Sequence, residues 1–123
     1  MANELTLNAV LQYEDSDGAE LSLDVVDLIV TVASKVGLKA RQQIGLVEEA
    51  IVLGEVSAPG YFFARNLDPT NFVSVRVGTG GAKFARLDAA GGFCLLKLDS
   101  GAQAPYAIAD TGACWIEYAV VHA

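Results

Sequence analysis

The chain has 123 residues, 53% of them apolar, with eight lysines and arginines against fifteen acids and a net charge of −7. That length suits one domain with a core of its own, and that apolar content excludes intrinsic disorder. The acidic balance argues against nucleic acid and against anionic membrane as partners, since both need a basic face, and no run reaches the ~18 apolar residues of a membrane span.

Met1-Ala2-Asn3-Glu4 lacks the basic region and apolar core of a signal peptide, which implies synthesis in a cytoplasm. Leu5, Leu7, Ala9, Leu11 and Tyr13 then alternate with Thr6, Asn8, Val10 and Gln12. That period of two predicts a half-buried strand. Glu14-Asp15-Ser16-Asp17-Gly18 ends it as a polar loop. From Leu21 to Ala33 the pattern changes phase. Leu21, Leu23 and Val25 share one face, and Val26, Leu28, Val30 and Val32 share the other. The β-branched content favours strand over helix, so the switch near Val25-Val26 reads as a β-bulge or a bend between sheets.

Gly37 to Ile44 predicts a strand with one polar face, Gly45 to Ala50 a turn or one helical turn, and Ile51-Val52-Leu53 a short strand. Tyr61–Asn66 and Phe72–Val77 read as a hairpin about Asp68-Pro69. The Asp side chain can accept a bond from the backbone N–H two residues on, and Pro pre-sets φ for a type I turn. Gly-rich turns at Gly78-Thr79-Gly80-Gly81 and Ala89-Ala90-Gly91-Gly92 lead into strands at Lys83–Leu87 and Phe93–Leu98. Asp99-Ser100-Gly101 is a further turn, followed by strands at Tyr106–Ala109 and Cys114–Val121. About eight to ten short strands with closely spaced turn signals and no long helix predict an all-β fold. The expected form is a jelly-roll-like β-sandwich of antiparallel strands, forming one domain over residues 1–123.

Candidate chemistry is sparse. Cys94 and Cys114 are expected as buried free thiols in a reducing compartment, and two cysteines with one histidine are too few for a conventional zinc site. Glu14, Asp15, Asp17 and Glu20 surround a glycine but lack the spacing of a calcium loop, so the plainer reading is a solvated hairpin loop. The Gly78–Gly81 run lacks the Lys-Ser/Thr pair and the helix of a phosphate loop. His122 is penultimate, where chains fray, and neither cysteine has a local histidine partner. The sequence therefore points to no enzyme, no cofactor and no metal. Trp115, Tyr118, Tyr106 and Phe93 read as core or as a sugar platform. The cations Lys39, Arg41, Arg65 and Arg76 are the candidate interface residues, suited to salt bridges between subunits.

Two blocks carry a resemblance. One runs through Gly45, Glu48-Glu49-Ala50, Pro59-Gly60-Tyr61 and Asn66-Leu67-Asp68-Pro69-Thr70-Asn71; the other is Tyr106-Ala107-Ile108-Ala109-Asp110-Thr111 before the final strand. Together they resemble a group of small tailed-phage proteins known as virion or structural proteins. The resemblance implies a β-rich particle component and transfers no catalytic residue. The expectation that follows is a bacteriophage virion structural protein, foremost a capsid decoration or cement protein. It would act as a symmetric homo-oligomer, with a trimer favoured, and stabilise the shell by binding the major capsid protein or another virion protein. It would be made in the host bacterial cytoplasm and reside in the virion, with residues 1–5 as an N-terminal arm. The alternatives are a tail, baseplate or fibre-attachment module, and a carbohydrate-binding module using Trp115 and Tyr106.

Overall fold

The computed structural model describes residues 3–32, 35–99 and 104–123. Ten antiparallel strands form three sheets, and among the described residues there is no helix. The strands are β1 (Glu4–Glu14), β2 (Glu20–Thr31), β3 (Gly37–Ile44), β4 (Glu49–Ala50), β5 (Pro59–Asn66), β6 (Val73–Arg76), β7 (Lys83–Leu87), β8 (Phe93–Lys97), β9 (Tyr106–Ala109) and β10 (Cys114–His122). The chain divides into two compact units, Met1–Ser34 and Lys35–Ala123. Of the expected arm, Met1 and Ala2 lie outside the described residues, as does the Ser100-Gly101 turn, while Glu4 and Leu5 open β1.

The first unit is a ribbon of two long strands. Leu5, Leu7, Ala9, Leu11 and Tyr13 on β1 stand opposite Val30, Leu28, Val25, Leu23 and Leu21 on β2. Cross-strand partners share a face, so all ten apolar residues line one side. The bulge explains the phase switch in the sequence. Between the pairs Leu7–Leu28 and Ala9–Val25, Asn8 alone faces both Val26 and Asp27. Asp27 adopts a positive φ of 51° and donates its N–H to Asn8 Oδ1 at 2.8 Å. Because the extra residue is taken up as a bulge, Leu28 and Val30 stay on the side of Leu21, Leu23 and Val25 despite the shift of phase in the sequence. Much of that side is open to solvent: Leu23 is 73% exposed and Leu11 57%.

The second unit is a sandwich of two four-stranded sheets, ordered β3-β10-β5-β8 and β4-β9-β6-β7. Their inner faces share one core, which includes Ile44, Phe62, Ala64, Ile116, Tyr118 and Val120 from the first sheet and Val73, Val75, Leu87, Ala107 and Ala109 from the second. On β10 the buried residues Cys114, Ile116, Tyr118 and Val120 alternate with Trp115, Glu117, Ala119 and Val121. The Tyr118 hydroxyl donates to the Val52 carbonyl, tying the loop after β4 to this core.

Two local expectations are corrected. The short strand is Glu49–Ala50 rather than Ile51–Leu53, and Ile51 is instead a buried core residue of the following loop. β5 and β6 do not form a hairpin: they belong to different sheets. Turns of the ordinary type I or II twist against a two-strand ladder and splay its strands, so chemistry of that kind suits a passage between sheets. Asp68 does act as expected, accepting the Thr70 N–H at 2.9 Å, and also the Asn71 N–H at 2.8 Å. The junction is held by Asn66, which is fully buried. Its amide donates to the carbonyls of Asn71 (2.8 Å) and Leu87 (3.1 Å) and accepts the Asp68 N–H (2.9 Å).

Cys94 and Cys114 are free thiols, and burial raises the pKa of each. A reducing agent is therefore expected to leave the melting temperature unchanged in differential scanning fluorimetry; a clear drop would reveal a disulfide.

Candidate interface

Three of the four cations singled out in the sequence converge on one sheet face. Register places Arg41, Glu117 and Arg65 side by side across β3, β10 and β5. Arg41 Nε lies 3.2 Å from Glu117 Oε2, and Arg65 Nη2 lies 2.7 Å from Oε1. Lys39 occupies the adjacent row opposite Ala119. The hydrogen bonds from Arg65 and then Arg41 hold the Glu117 carboxyl below its ordinary value of 4.5. Exposed ion pairs of this kind add little to stability; their effect is to hold two guanidinium groups in place on the outer surface.

Aromatic residues complete this face. Phe63 and Phe93 are neighbours across β5 and β8, their rings stacked with centroids 5.6 Å apart. Phe93 is 59% exposed and Trp115 51%. Lys97 Nζ sits 5.8 Å from the centre of the Tyr61 ring, within reach of a cation–π attraction.

Arg76 belongs elsewhere. It lies on β6 in the other sheet and pairs with Glu48 at 2.8 Å. Glu48 also accepts the Gly80 N–H (2.7 Å) and the Thr79 hydroxyl (3.1 Å), so the pair braces the β6–β7 turn. Sequence reasoning missed Glu48, whose only signal was its place in a Glu-Glu pair within a predicted turn.

These bonds have a pH signature. The Gly80 N–H foremost, with Thr79 and Arg76, keeps the Glu48 carboxyl low. The Asn71 and Thr70 N–H groups do the same for Asp68. A carboxylate whose folded pKa is depressed contributes stability above its unfolded pKa and loses it as pH falls through the folded value. Thermal stability of the sandwich is thus expected to be level near neutrality. It should fall below pH 4.5, the ordinary value for Glu48 and Glu117, and further below 3.8, that of Asp68. Melting curves against pH check this, and Glu48→Gln with Glu117→Gln should flatten the acid limb.

The remaining candidates resolve simply. In the acidic loop, Asp15 Oδ1 accepts the N–H groups of Asp17 and Ala19, both at 2.9 Å, and so closes the β1–β2 turn. Among the described residues no three His, Cys, Asp or Glu side chains are grouped to hold a metal. His122 closes β10, with Nδ1 3.0 Å from the Ala123 carbonyl oxygen. Trp115 and Tyr106 sit on different sheets, and neither strand's outward positions bring them onto one platform.

The unit boundary exposes a charge partition. Residues 1–34 hold Glu4, Glu14, Asp15, Asp17, Glu20, Asp24 and Asp27 and no lysine or arginine. In residues 35–123 the remaining acids and bases balance. The whole net charge of −7 therefore resides on the ribbon unit. No family model matches the chain, and no curated protein or solved structure matches it either.

Proposed function

We propose that this chain is a bacteriophage virion structural protein, a capsid decoration protein that binds the shell as a symmetric oligomer and stabilises it. The observation that carries the reading is the ribbon, whose two long strands present ten apolar residues along one side. A lone two-stranded ribbon is marginal in water, and exposed apolar surface on this scale marks a place of association. The same chain carries a charge-balanced sandwich whose cysteines are free thiols and which groups no metal ligands among its described residues, and that favours assembly over chemistry.

The strand order supports a jelly roll as the form of the sandwich. Counting from β3, the first strand pairs with the eighth, the eighth with the third and the third with the sixth. In the facing sheet the second pairs with the seventh, the seventh with the fourth and the fourth with the fifth. Jelly rolls build many viral shells, and lectins and cupins as well. Fold alone does not assign a function, so the reading rests on the ribbon and on the resemblance to small tailed-phage proteins. Arg41, Arg65 and Lys39 would serve as charged contacts to a neighbour, and Arg76 braces its own turn.

The test is copy number. Particles of the encoding phage are purified, and the chain is quantified by mass spectrometry against the major capsid protein. A ratio near one to one, or one to a few, is expected. A dozen copies or fewer would move the chain to the tail or a vertex, and absence from the particle would overturn the virion reading.

A further inference from the structure

We propose that the apolar side of the ribbon packs on the outer face of the β3-β10-β5-β8 sheet of a second copy of this chain. The two surfaces are complementary in character. The ribbon side is apolar from Leu5 to Tyr13 and from Leu21 to Val30, and its unit carries seven acids and no base. The outward residues of the sheet include Trp115, Phe63 and Phe93, with four cations, Lys39, Arg41, Arg65 and Lys97, against one acid, Glu117. Glu117 is already engaged by two arginines, so the face is left with a positive excess.

The charges act at short range without touching. Most ribbon acids project from the side opposite the apolar residues: Glu14 pairs with Glu20, and Asp24 faces Val10. A two-stranded ribbon is thin, so they remain roughly within one Debye length, ~8 Å at physiological salt, of whatever the apolar side covers. At that distance they steer encounter and select a basic partner over an acidic one. Two ribbons packed on each other would instead bring fourteen acids together and gain no cation.

Size supports the same geometry. One ribbon side offers ten apolar residues, fewer than the ~20–30 per partner of a standard interface. Each chain, however, brings one ribbon and one sheet face. In a closed assembly every ribbon finds a face and every face a ribbon, which doubles the contact per copy. The inference concerns how copies join and does not depend on the virion reading.

Sedimentation velocity on the full chain tests it. The wild type is expected at two or more times the mass of one chain. Leu11→Ser with Leu23→Ser on the ribbon is expected to give single chains, and so is Lys39→Glu with Trp115→Ser on the sheet face. All four residues are exposed, so the fold should survive. Mixing the two variants should restore a one-to-one pair, because the intact ribbon of one meets the intact face of the other. Raising salt from about 0.05 to about 0.5 M should weaken wild-type association several-fold by screening opposite charges. A wild type that sediments as a single chain would overturn the proposal. So would a ribbon variant that stays associated, a mixture that stays monomeric, or association that strengthens with salt, the sign expected of acidic ribbons packed together.

Discussion

Phe62→Ala is expected to cost the sandwich about 3–5 kcal/mol, the largest effect of any single substitution considered. The side chain is 1% exposed and lies on β5, which has β10 on one side and β8 on the other. Its ring sits 6.3 Å from that of Tyr118 on the neighbouring strand. A strand held on both edges cannot move inward to fill the space, so the cavity persists and its cost adds to the lost burial. Against a typical total of roughly 5–15 kcal/mol, that is enough to leave the sandwich partly unfolded when warmed. Urea titration of the purified chain is the measurement, with the midpoint falling at an unchanged slope. Phe62→Leu keeps most of the volume and should cost clearly less. A loss for Phe62→Ala below about 1 kcal/mol would show that the core collapses around the gap.

Asn66→Leu is expected to be nearly as severe, although it replaces a polar residue by an apolar one of similar shape in a buried place. The amide holds three backbone groups: the carbonyls of Asn71 and Leu87 and the N–H of Asp68. Leucine satisfies none of them. A buried group left without its partner costs about 1–3 kcal/mol, so a loss of about 3 kcal/mol is expected overall. The bond to Leu87 reaches β7, in the sheet opposite β5, so the variant should also loosen the passage between the sheets. Hydrogen exchange should therefore quicken at Asp68, whose N–H loses its acceptor. A neutral or stabilising outcome would mean that water replaces the amide at all three groups.

Much of the strand plan was legible because period-two patterning reports burial directly. Gly37–Ile44, Lys83–Leu87 and Tyr106–Ala109 fall where alternation and glycine turns predict them. The two faces of β10 were legible for the same reason, but not which of them is buried: Trp115 and Phe93 read as core or platform, and both are exposed. Pairing was less so. Tyr61–Asn66 and Phe72–Val77 flank good turn chemistry, yet tertiary packing sends them to different sheets, and nothing local distinguishes a hairpin from a crossover of that length. Asn66 read as the polar end of a strand, since its three partners come together only after folding. The convergence of Arg41 and Arg65 on Glu117 required the register of three strands, two of them far apart in sequence. The charge partition was present in the sequence throughout, but it has meaning only once the unit boundary near Ser34 is known. The bulge was anticipated at the right place. Its effect, keeping one side uniformly apolar, follows only from the pairing with β1.

That bulge has a consequence for shape. Were Val26 absent, Asp27 would face Asn8 in an unbroken ladder, and Leu28 and Val25 would still point the same way. The strand is thus one residue longer than its facing alone demands. An unmatched residue in one strand bends it and tightens its right-handed coil. The surplus residue is therefore expected to curve the ribbon, and a curved band can follow a twisted, convex surface along its length where a straight one would touch it only at the crest. Deleting Val26 should therefore leave the chemistry of the ribbon intact and change only its curvature.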